Sequence, residues 1–525
     1  MVILGLGGLL GDAASAVLKD GELKAAIEEN KLDHVWRPGG LPQASIAECL
    51  RLAGTTRDEV DCVAVVRPFA RAPESEVHSI LRDQFPKAEI ALVEHHQAHA
   101  ASAFFASPFE EATVLTLDHD GDFRCGTRWH AKDTQIQAER EWYYPDSLGR
   151  LYGAVTQLLG YRAGAEEHKV QWISAAGDER YAPLFRELVT SSARLDPSFF
   201  NGHRQSEGGF SPKFFQRLGF EEGARIPASA VPAIARGLQK TIEETVLSLA
   251  GEGENLCLAG GLFLNVMLVD FLERCGRWKN VFVQPAAGNA GTALGAVYHV
   301  WHQVRRNKRH GGMQSLFLGP GYGAEEIKQV LENCKLRFQY LRSTDDMLAQ
   351  AVRMLGEHKI LAWMQGRMEF GPRALGNRSI LASPLDPYST ENLNVFIKHR
   401  EPFRKFAASV PAEEAGEYFE TGPNARYLAT VGRVRPQHRK TFEAAILGQE
   451  QGHAMIRAHV VSAKDNPLYH RLLREAGKAT GLPVLYNTSF NLFGDPLVSA
   501  PRDAVRSFYS SGIDAMFVGN FLLEK

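Results

Sequence analysis

The chain has 525 residues, 44% hydrophobic and 23% charged, with a formal net charge of −2. That is too long for one core, so two or three domains are expected, with the composition of a globular enzyme. Near-zero net charge excludes the electrostatic footprint of a nucleic-acid or anionic-membrane binder, and no apolar run reaches the roughly 18–20 residues that span a bilayer.

The six cysteines are scattered without a CxxC, as suits reduced thiols in a cytoplasm. The N-terminus is apolar, but it lacks a basic start and Asp12 interrupts it. A buried first strand is therefore expected there, not a signal peptide. Residues 2–6 form that strand, and residues 14–18 and 23–27 flank the hairpin tip Asp20-Gly21. Residues 44–53 read as a helix, 61–67 (DCVAVVR) as a buried strand, 76–85 as a helix and 90–93 as a strand.

That strand delivers the chain into Glu94-His95-His96-Gln97-Ala98-His99-Ala100. On a helix His95 and His99 share one face and can grip one metal ion. The central Glu of a zinc protease is missing, which disfavours peptide hydrolysis. A polar helix start with surface histidines is the competing reading.

A second round starts at residue 112. Residues 114–117 form a strand ending on Asp118, then the turn His119-Asp120-Gly121-Asp122, then extended segments 123–131 and 135–144. The glycine falls too early for an EF-hand. Strand, turn and hairpin thus occur twice, as in a duplicated α/β fold. Residues 148–159 and 230–250 are helical in pattern, and a loop-rich stretch separates Glu166-Glu167-His168-Lys169 from about residue 227.

Strands 256–259 and 281–283 each run into glycines: Gly260-Gly261 before a helix after Asn265, and Gly288-Asn289-Ala290-Gly291 before another. Such junctions present backbone N–H groups to phosphate, or serve tight helix packing. Neither a Walker A sequence nor a complete GxGxxG is present. The basic stretch 303–312 reads as a solvated linker, giving domains 1–310 and 341–525 around a linker 311–340. Helices are expected near 325–333 and 345–357, and a buried strand at 360–363.

Beyond the linker, GRMEFGPRALGNRS carries Arg367, Arg373 and Arg378 among glycines, and KHREPFRKF carries Lys398, Arg400 and Arg404. Two such clusters in a chain of near-zero net charge point to binding of a small polyanion such as a triphosphate. PVLYNTSFN, ending near Asn487, is a strand running into a polar loop. Its amides either read a nucleotide or carbamoyl group or merely cap a turn.

In this order, HHQAHAASA, TLDxxGD, EEHKV, LAGGLFLNV, GNAGTALGA, GRMEFGPRALGNRSI, KHREPFRKFAAS and PVLYNTSFN resemble the O-carbamoyltransferases of the nodulation-protein and cephalosporin carbamoyltransferase type. The resemblance covers about residues 90–510. It implies an N-terminal duplicated actin-like ATPase (ASKHA) domain and a C-terminal α/β domain resembling threonylcarbamoyl-adenylate synthases. It implies that the C-terminal domain makes carbamoyl-adenylate from carbamoyl phosphate and ATP, with Mg2+ accompanying ATP, through Arg373, Lys398, Arg404, Arg457 and Asn487. Gly260, Gly261, Asn265, Gly288 and Gly291 are then nucleotide-loop positions.

The resemblance also implies a metal, iron in the family, on His95, His99 and Asp118, with Asn289 where relatives place an aspartate. His96 points about 100° away around the helix. Gly11-Asp12 replaces the family's His-Asp pair, leaving Asp12 as the candidate base, and Glu28-Glu29-Asn30-Lys31-Leu32-Asp33-His34 replaces a more basic stretch. The expected activity is carbamoyl transfer to a hydroxyl of a small metabolite by a cytoplasmic protein without nucleic-acid or membrane partners, and relatives suggest a homodimer. A sugar-kinase-like phosphotransferase and a diverged non-catalytic homologue are the alternatives.

Overall fold

The computed structural model describes residues 1–37, 39–67, 74–121, 123–201, 209–309, 311–492 and 494–525. The expected Asp-rich turn, the loop stretch before residue 227 and the basic linker therefore each lie partly outside the described residues.

Ten strands follow one another as β1 (Val2–Gly7), β2 (Ala14–Lys19), β3 (Glu22–Glu28), β4 (Cys62–Val66), β5 (Glu89–Val93), β6 (Glu111–Gly121), β7 (Arg124–Lys132), β8 (Gln135–Tyr143), β9 (Asn255–Ala259) and β10 (Asn280–Val283). They form two five-stranded sheets, β3-β2-β1-β4-β5 and β8-β7-β6-β9-β10. The second order repeats the first, strand for strand. In each, the last three strands of the sheet order run parallel, and helices link the last two: Glu74–Gln84 between β4 and β5, Val266–Arg274 between β9 and β10. This is the duplicated α/β architecture of the actin-like ATPases.

Alternation of apolar residues explains β7 and β8, and continuous buried runs explain the central parallel strands, β6 among them, which are buried on both faces. β1 and β4 are buried at every residue. At the first hairpin tip Asp20 (φ 53°) and Gly21 (φ 84°) take the left-handed conformations of a two-residue turn.

Two boundaries differ from expectation. β6 continues past Asp118 to Gly121, with a register shift against β7 after Leu117. Between β8 and β9 the expected loop stretch holds helices Glu167–Ser174, Ala182–Leu188 and Pro212–Leu218. They are too short for a periodic signal; one is anchored by Phe214 stacking on Phe210 at 4.0 Å between ring centroids.

The chain clusters into two compact units: residues 1–11, 18–22 and 57–313, and residues 12–17, 23–56 and 314–525. Residues 12–17 and 23–56 thus go with the C-terminal residues, and the stretch expected as linker, 311–340, carries the helix Ala324–Asn333.

In the second unit lie β11 (Gln339–Tyr340), β12 (Leu361–Met364), β13 (Arg378–Ala382), β14 (Ala407–Pro411), β15 (Phe419–Thr421), β16 (Gly432–Val434), β17 (Gly448–Glu450), β18 (His453–Val461), β19 (Leu485–Ser489), β20 (Ala515–Val518) and β21 (Phe521–Glu524). They make one mixed sheet, β11-β21-β20-β12-β13-β19-β14-β18-β16-β15, with β17 beside β18. One face packs Ala362, Ile380, Ala408, Ile456 and Tyr486 into a core. The other packs Trp363, Leu381, Leu485 and Val461 beneath helices Thr344–Gly356 and Pro467–Thr480.

In the first unit, helices His95–Phe104 and Thr292–Tyr298 meet backbone to backbone. A Cβ at residue 295 would lie 1.7 Å from the Ala98 carbonyl oxygen, so only glycine fits. Gly295→Ala therefore forces the helices apart and should cost at least about 1–3 kcal/mol, as overpacking does. A lowered thermal unfolding midpoint checks this; an unchanged midpoint refutes the close approach.

Candidate functional site

The histidine helix starts where Glu94 caps it, its carboxylate accepting from the N–H groups of His96 (3.0 Å) and Gln97 (2.8 Å). One turn of helix separates His95 from His99, and both rings reach Asp118 on β6 of the same unit. Their Nε2 atoms lie 2.9 and 3.0 Å from Asp118 Oδ2. The other carboxylate oxygen accepts from His119 N at 2.7 Å and Gly261 N at 3.3 Å.

Glycines let the backbone pack directly against these groups. A Cβ at residue 121 would stand 2.1 Å from the His95 ring, and one at 261 would stand 2.9 Å from Asp118 Oδ1.

His99 is buried, and burial lowers its pKa, so it sits as the neutral imidazole that metals bind. Burial alone would raise Asp118, but hydrogen bonds from His95 and His99 hold its carboxyl well below the usual range. His99 Nδ1 is buried with no hydrogen-bond partner among the described residues. Two imidazoles and one carboxylate, with ligand atoms within 4.8 Å of one another, fit a divalent first-row metal ion. His96 does not join them: its ring meets Thr116 Oγ1 (3.0 Å) and the Arg124 carbonyl (3.1 Å).

The Asn289 amide, expected as a fourth ligand, donates to the Gly11 carbonyl at 3.2 Å. Asp12, expected as a base, is paired through its carboxylate with the Arg37 guanidinium at 2.9 and 3.1 Å.

The expected nucleotide-loop residues split. Gly260 and Gly291 lie where a Cβ would come within 2.1 Å of Leu117 O and 2.0 Å of Ala286 O, which is close packing. A Cβ at Gly288 would meet only Leu264, at 3.4 Å. Asn265 is occupied structurally: it caps helix Val266–Arg274 by accepting from Leu268 N (3.1 Å) and donates to buried Gln239 (2.7 Å).

The second unit gathers cations at one end of its sheet. Ala407 pairs in register with Arg457 on one side and Asn487 on the other, so the small alanine lies between two long polar side chains on one face. Asn487 donates to the Ala374 carbonyl at 3.1 Å, and its Oδ1 is buried without a donor among the described residues.

Burial, then Arg373, Arg400 and Arg404, push the Arg457 guanidinium well down. Burial alone brings Arg373 to about 10; burial, then Arg404, brings Arg400 to about 9. Arg404 lies 4.0 Å from Glu401. At neutral pH these guanidiniums remain charged, and crowded like charges favour a polyanion between them.

Other cations of the two motifs are scaffold, which sequence spacing could not reveal. Arg378 is fully buried and donates to the carbonyls of Gln365 (2.7 Å), Asn377 (3.0 Å) and Pro320 (3.0 Å). Arg367 donates to Gly319 O (3.0 Å) and Lys24 O (2.9 Å). Lys398, expected to bind ligand, donates to Asn491 O (2.8 Å) and Oδ1 (2.6 Å) and to Ser489 O (2.5 Å), bracing the Asn-Thr-Ser loop.

His95→Ala and Asp118→Asn should each lower bound divalent metal to below about a tenth of the wild-type content, as loss of one of three ligands does. Elemental analysis of purified protein measures it. Equal metal content in all three proteins removes the ligand assignment.

Matches to known proteins fall in both compact units. Residues 71–298 match the carbamoyltransferase N-terminus model and residues 352–525 the carbamoyltransferase C-terminus model. An uncharacterized protein of Synechocystis is 33% identical over all of this chain and 96% of its own length. Nodulation protein NolNO of Sinorhizobium fredii is 31% identical over 98% of this chain and 79% of its own. The 3'-hydroxymethylcephem-O-carbamoyltransferase of Streptomyces clavuligerus is 29% identical over 55% and 53%. Among solved structures, component A of Acidaminococcus fermentans (R)-2-hydroxyglutaryl-CoA dehydratase is similar at a TM-score of 0.38 and 17% identity, over 57% of this chain and 97% of that one. By its matched domains and its relatives, the chain belongs to the carbamoyltransferase family and is a transferase.

Proposed function

We propose that this chain is an ATP-dependent O-carbamoyltransferase that activates the carbamoyl group as carbamoyl-adenylate before transferring it to a hydroxyl of a small molecule. The observation that carries the reading is the crowding of Arg373, Arg400, Arg404 and Arg457 beside Asn487 in the second unit. A single phosphate does not require four guanidiniums; a triphosphate with a second anionic substrate does.

Activation consumes carbamoyl phosphate, ATP and one water. The carbamoyl phosphate C–O–P linkage is hydrolysed to carbamate and inorganic phosphate. A carbamate oxygen then attacks the α-phosphorus, and the bond to pyrophosphate breaks. Arg373, Arg404 and Arg457 hold the phosphate oxygens as charge moves to the leaving pyrophosphate, with Mg2+ accompanying ATP. Asn487 Oδ1, buried without a donor, accepts from the carbamoyl NH2, a contact an acetyl group lacks.

In transfer, the acceptor oxygen attacks the carbamoyl carbon, the C–O bond to AMP breaks, and the hydroxyl proton leaves to a base. A divalent cation on His95, His99 and Asp118, with iron the family's ion, supplies positive charge for a carbonyl or phosphate oxygen. The glycines at residues 121 and 261 let the backbone close directly on these ligands.

Purified protein given ATP and carbamoyl phosphate should release pyrophosphate only when both are present. Arg373→Ala should slow that release by about a hundredfold, the order expected for one lost charge-stabilising donor. Wild-type protein that binds ATP and releases no pyrophosphate in the presence of carbamoyl phosphate sinks the adenylate route.

A further inference from the structure

Arg373 lies in a loop whose backbone is clamped from the far end of the sequence. Lys31 follows β3 in a short helical turn (Asn30–Asp33) and is only 5% exposed. Its ammonium donates to the Glu369 carbonyl (2.9 Å) and the Gly371 carbonyl (2.9 Å), and it forms an ion pair with Glu28 Oε2 at 2.9 Å.

Glu28 closes the clamp from the other side, its Oε1 accepting from the Gly371 N–H at 2.7 Å. The Glu369 carboxylate then turns inward and accepts from the N–H groups of Leu375 (2.8 Å), Asn377 (2.8 Å) and Arg378 (3.1 Å). Gly371, at φ 110°, and Pro372 leave that stretch little freedom of its own kind. Arg373 is therefore carried on a segment fixed at residues 369 and 371 before it and at 374 and 375 after it, the Ala374 carbonyl being held by Asn487. Residues 28, 31 and 369–378 all belong to the second compact unit.

We infer that Lys31 and Glu28 are positioning residues for Arg373: they set where its guanidinium stands in the anion site, and they touch no substrate. The inference deepens the proposed function and rests on its assignment of Arg373 to phosphate. A buried ion pair is poor evidence for stability in itself. What gives this pair a role is where its donors and acceptor go: to the backbone two residues before the ligand arginine, with each hydrogen bond of normal length. A displacement of about 1 Å at a charge-stabilising group is enough to cost up to about a hundredfold in rate.

The test uses the full chain and has two readouts, one independent of any ligand. Hydrogen exchange of peptides covering residues 366–378 should speed up about tenfold or more in Lys31→Met, by loss of its two hydrogen bonds to the loop. Peptides covering β18 should be unchanged. Because Lys31→Met strands the Glu28 carboxylate, the double variant Lys31→Met with Glu28→Gln is measured beside it, and it should show the same local acceleration.

The second readout is affinity for inorganic pyrophosphate by calorimetry. Lys31→Met should weaken binding by about tenfold, and it should add nothing in an Arg373→Ala background, since it acts through that residue. Unchanged exchange at 366–378, or a pyrophosphate loss that adds fully to that of Arg373→Ala, overturns the inference. Faster exchange at 366–378 in Lys31→Met, together with no pyrophosphate binding by the wild-type protein, overturns the anion-site reading while leaving the clamp established.

Discussion

The constraint on which the first unit depends is the burial of one carboxylate. Asp118 leaves water at the point where β6 loses register with β7, and a buried charge survives only if its oxygens are satisfied. Four donors from three places meet that demand: two imidazoles from one helix, the next backbone N–H, and the N–H of Gly261 after β9. The helix therefore cannot slide, and the glycine turn cannot move away. Its close neighbour, the helix Thr292–Tyr298, is held through Gly295 without a side chain between them. A metal cation inserted among His95, His99 and Asp118 replaces two hydrogen bonds with stronger bonds and leaves the same framework standing.

In the second unit the logic is reversed, and the difference separates scaffold cations from ligand cations. Arg367, Arg378, Lys31 and Lys398 spend their donors on backbone carbonyls within hydrogen-bond distance. They stiffen loops and contribute no net field to a ligand beyond their charge. For Arg457 the dominant influences are burial and the repulsion of Arg373, Arg400 and Arg404. Sheet geometry sets them together, since Ala407 leaves a gap between Arg457 and Asn487. A sheet face that is apolar at Trp363, Leu381 and Leu485 becomes polar within one residue pair along β19.

Much of this was legible in the sequence. The helical spacing of His95 and His99 was readable because period 3.6 is a local property, whereas Asp118 was joined to them only by the family resemblance, since no local pattern ties a strand residue to the helix before it. The repeated order of strand, hairpin and parallel strands was also readable, since each element carries its own apolar pattern. Three short helices between β8 and β9 were not, for they are seven or eight residues long and are fixed by aromatic stacking at distance. Nor was the fate of the three arginines in GRMEFGPRALGNRS: which carbonyls the folded chain brings to Arg367 and Arg378 is set by segments distant in sequence. Asn265 was placed with the nucleotide loop by its glycine neighbours, yet its amide is taken by a helix cap and Gln239.

The departures in residues 28–34 acquire a physical meaning from the same argument. The family resemblance implies a more basic stretch there; this chain has one lysine in it and turns it inward. A cation that reaches solvent or substrate acts through its charge, and its effect is screened by salt. One that is buried against carbonyls and a carboxylate acts through geometry, and its effect is not screened. Lys31 therefore trades electrostatic reach for stiffness in the loop that bears Arg373. Replacing that lysine by a smaller apolar residue would leave Glu28 uncompensated, the costlier half of any buried pair to remove. That pairing explains why Glu28 and Lys31 occur together three residues apart, as one turn of chain after β3 allows.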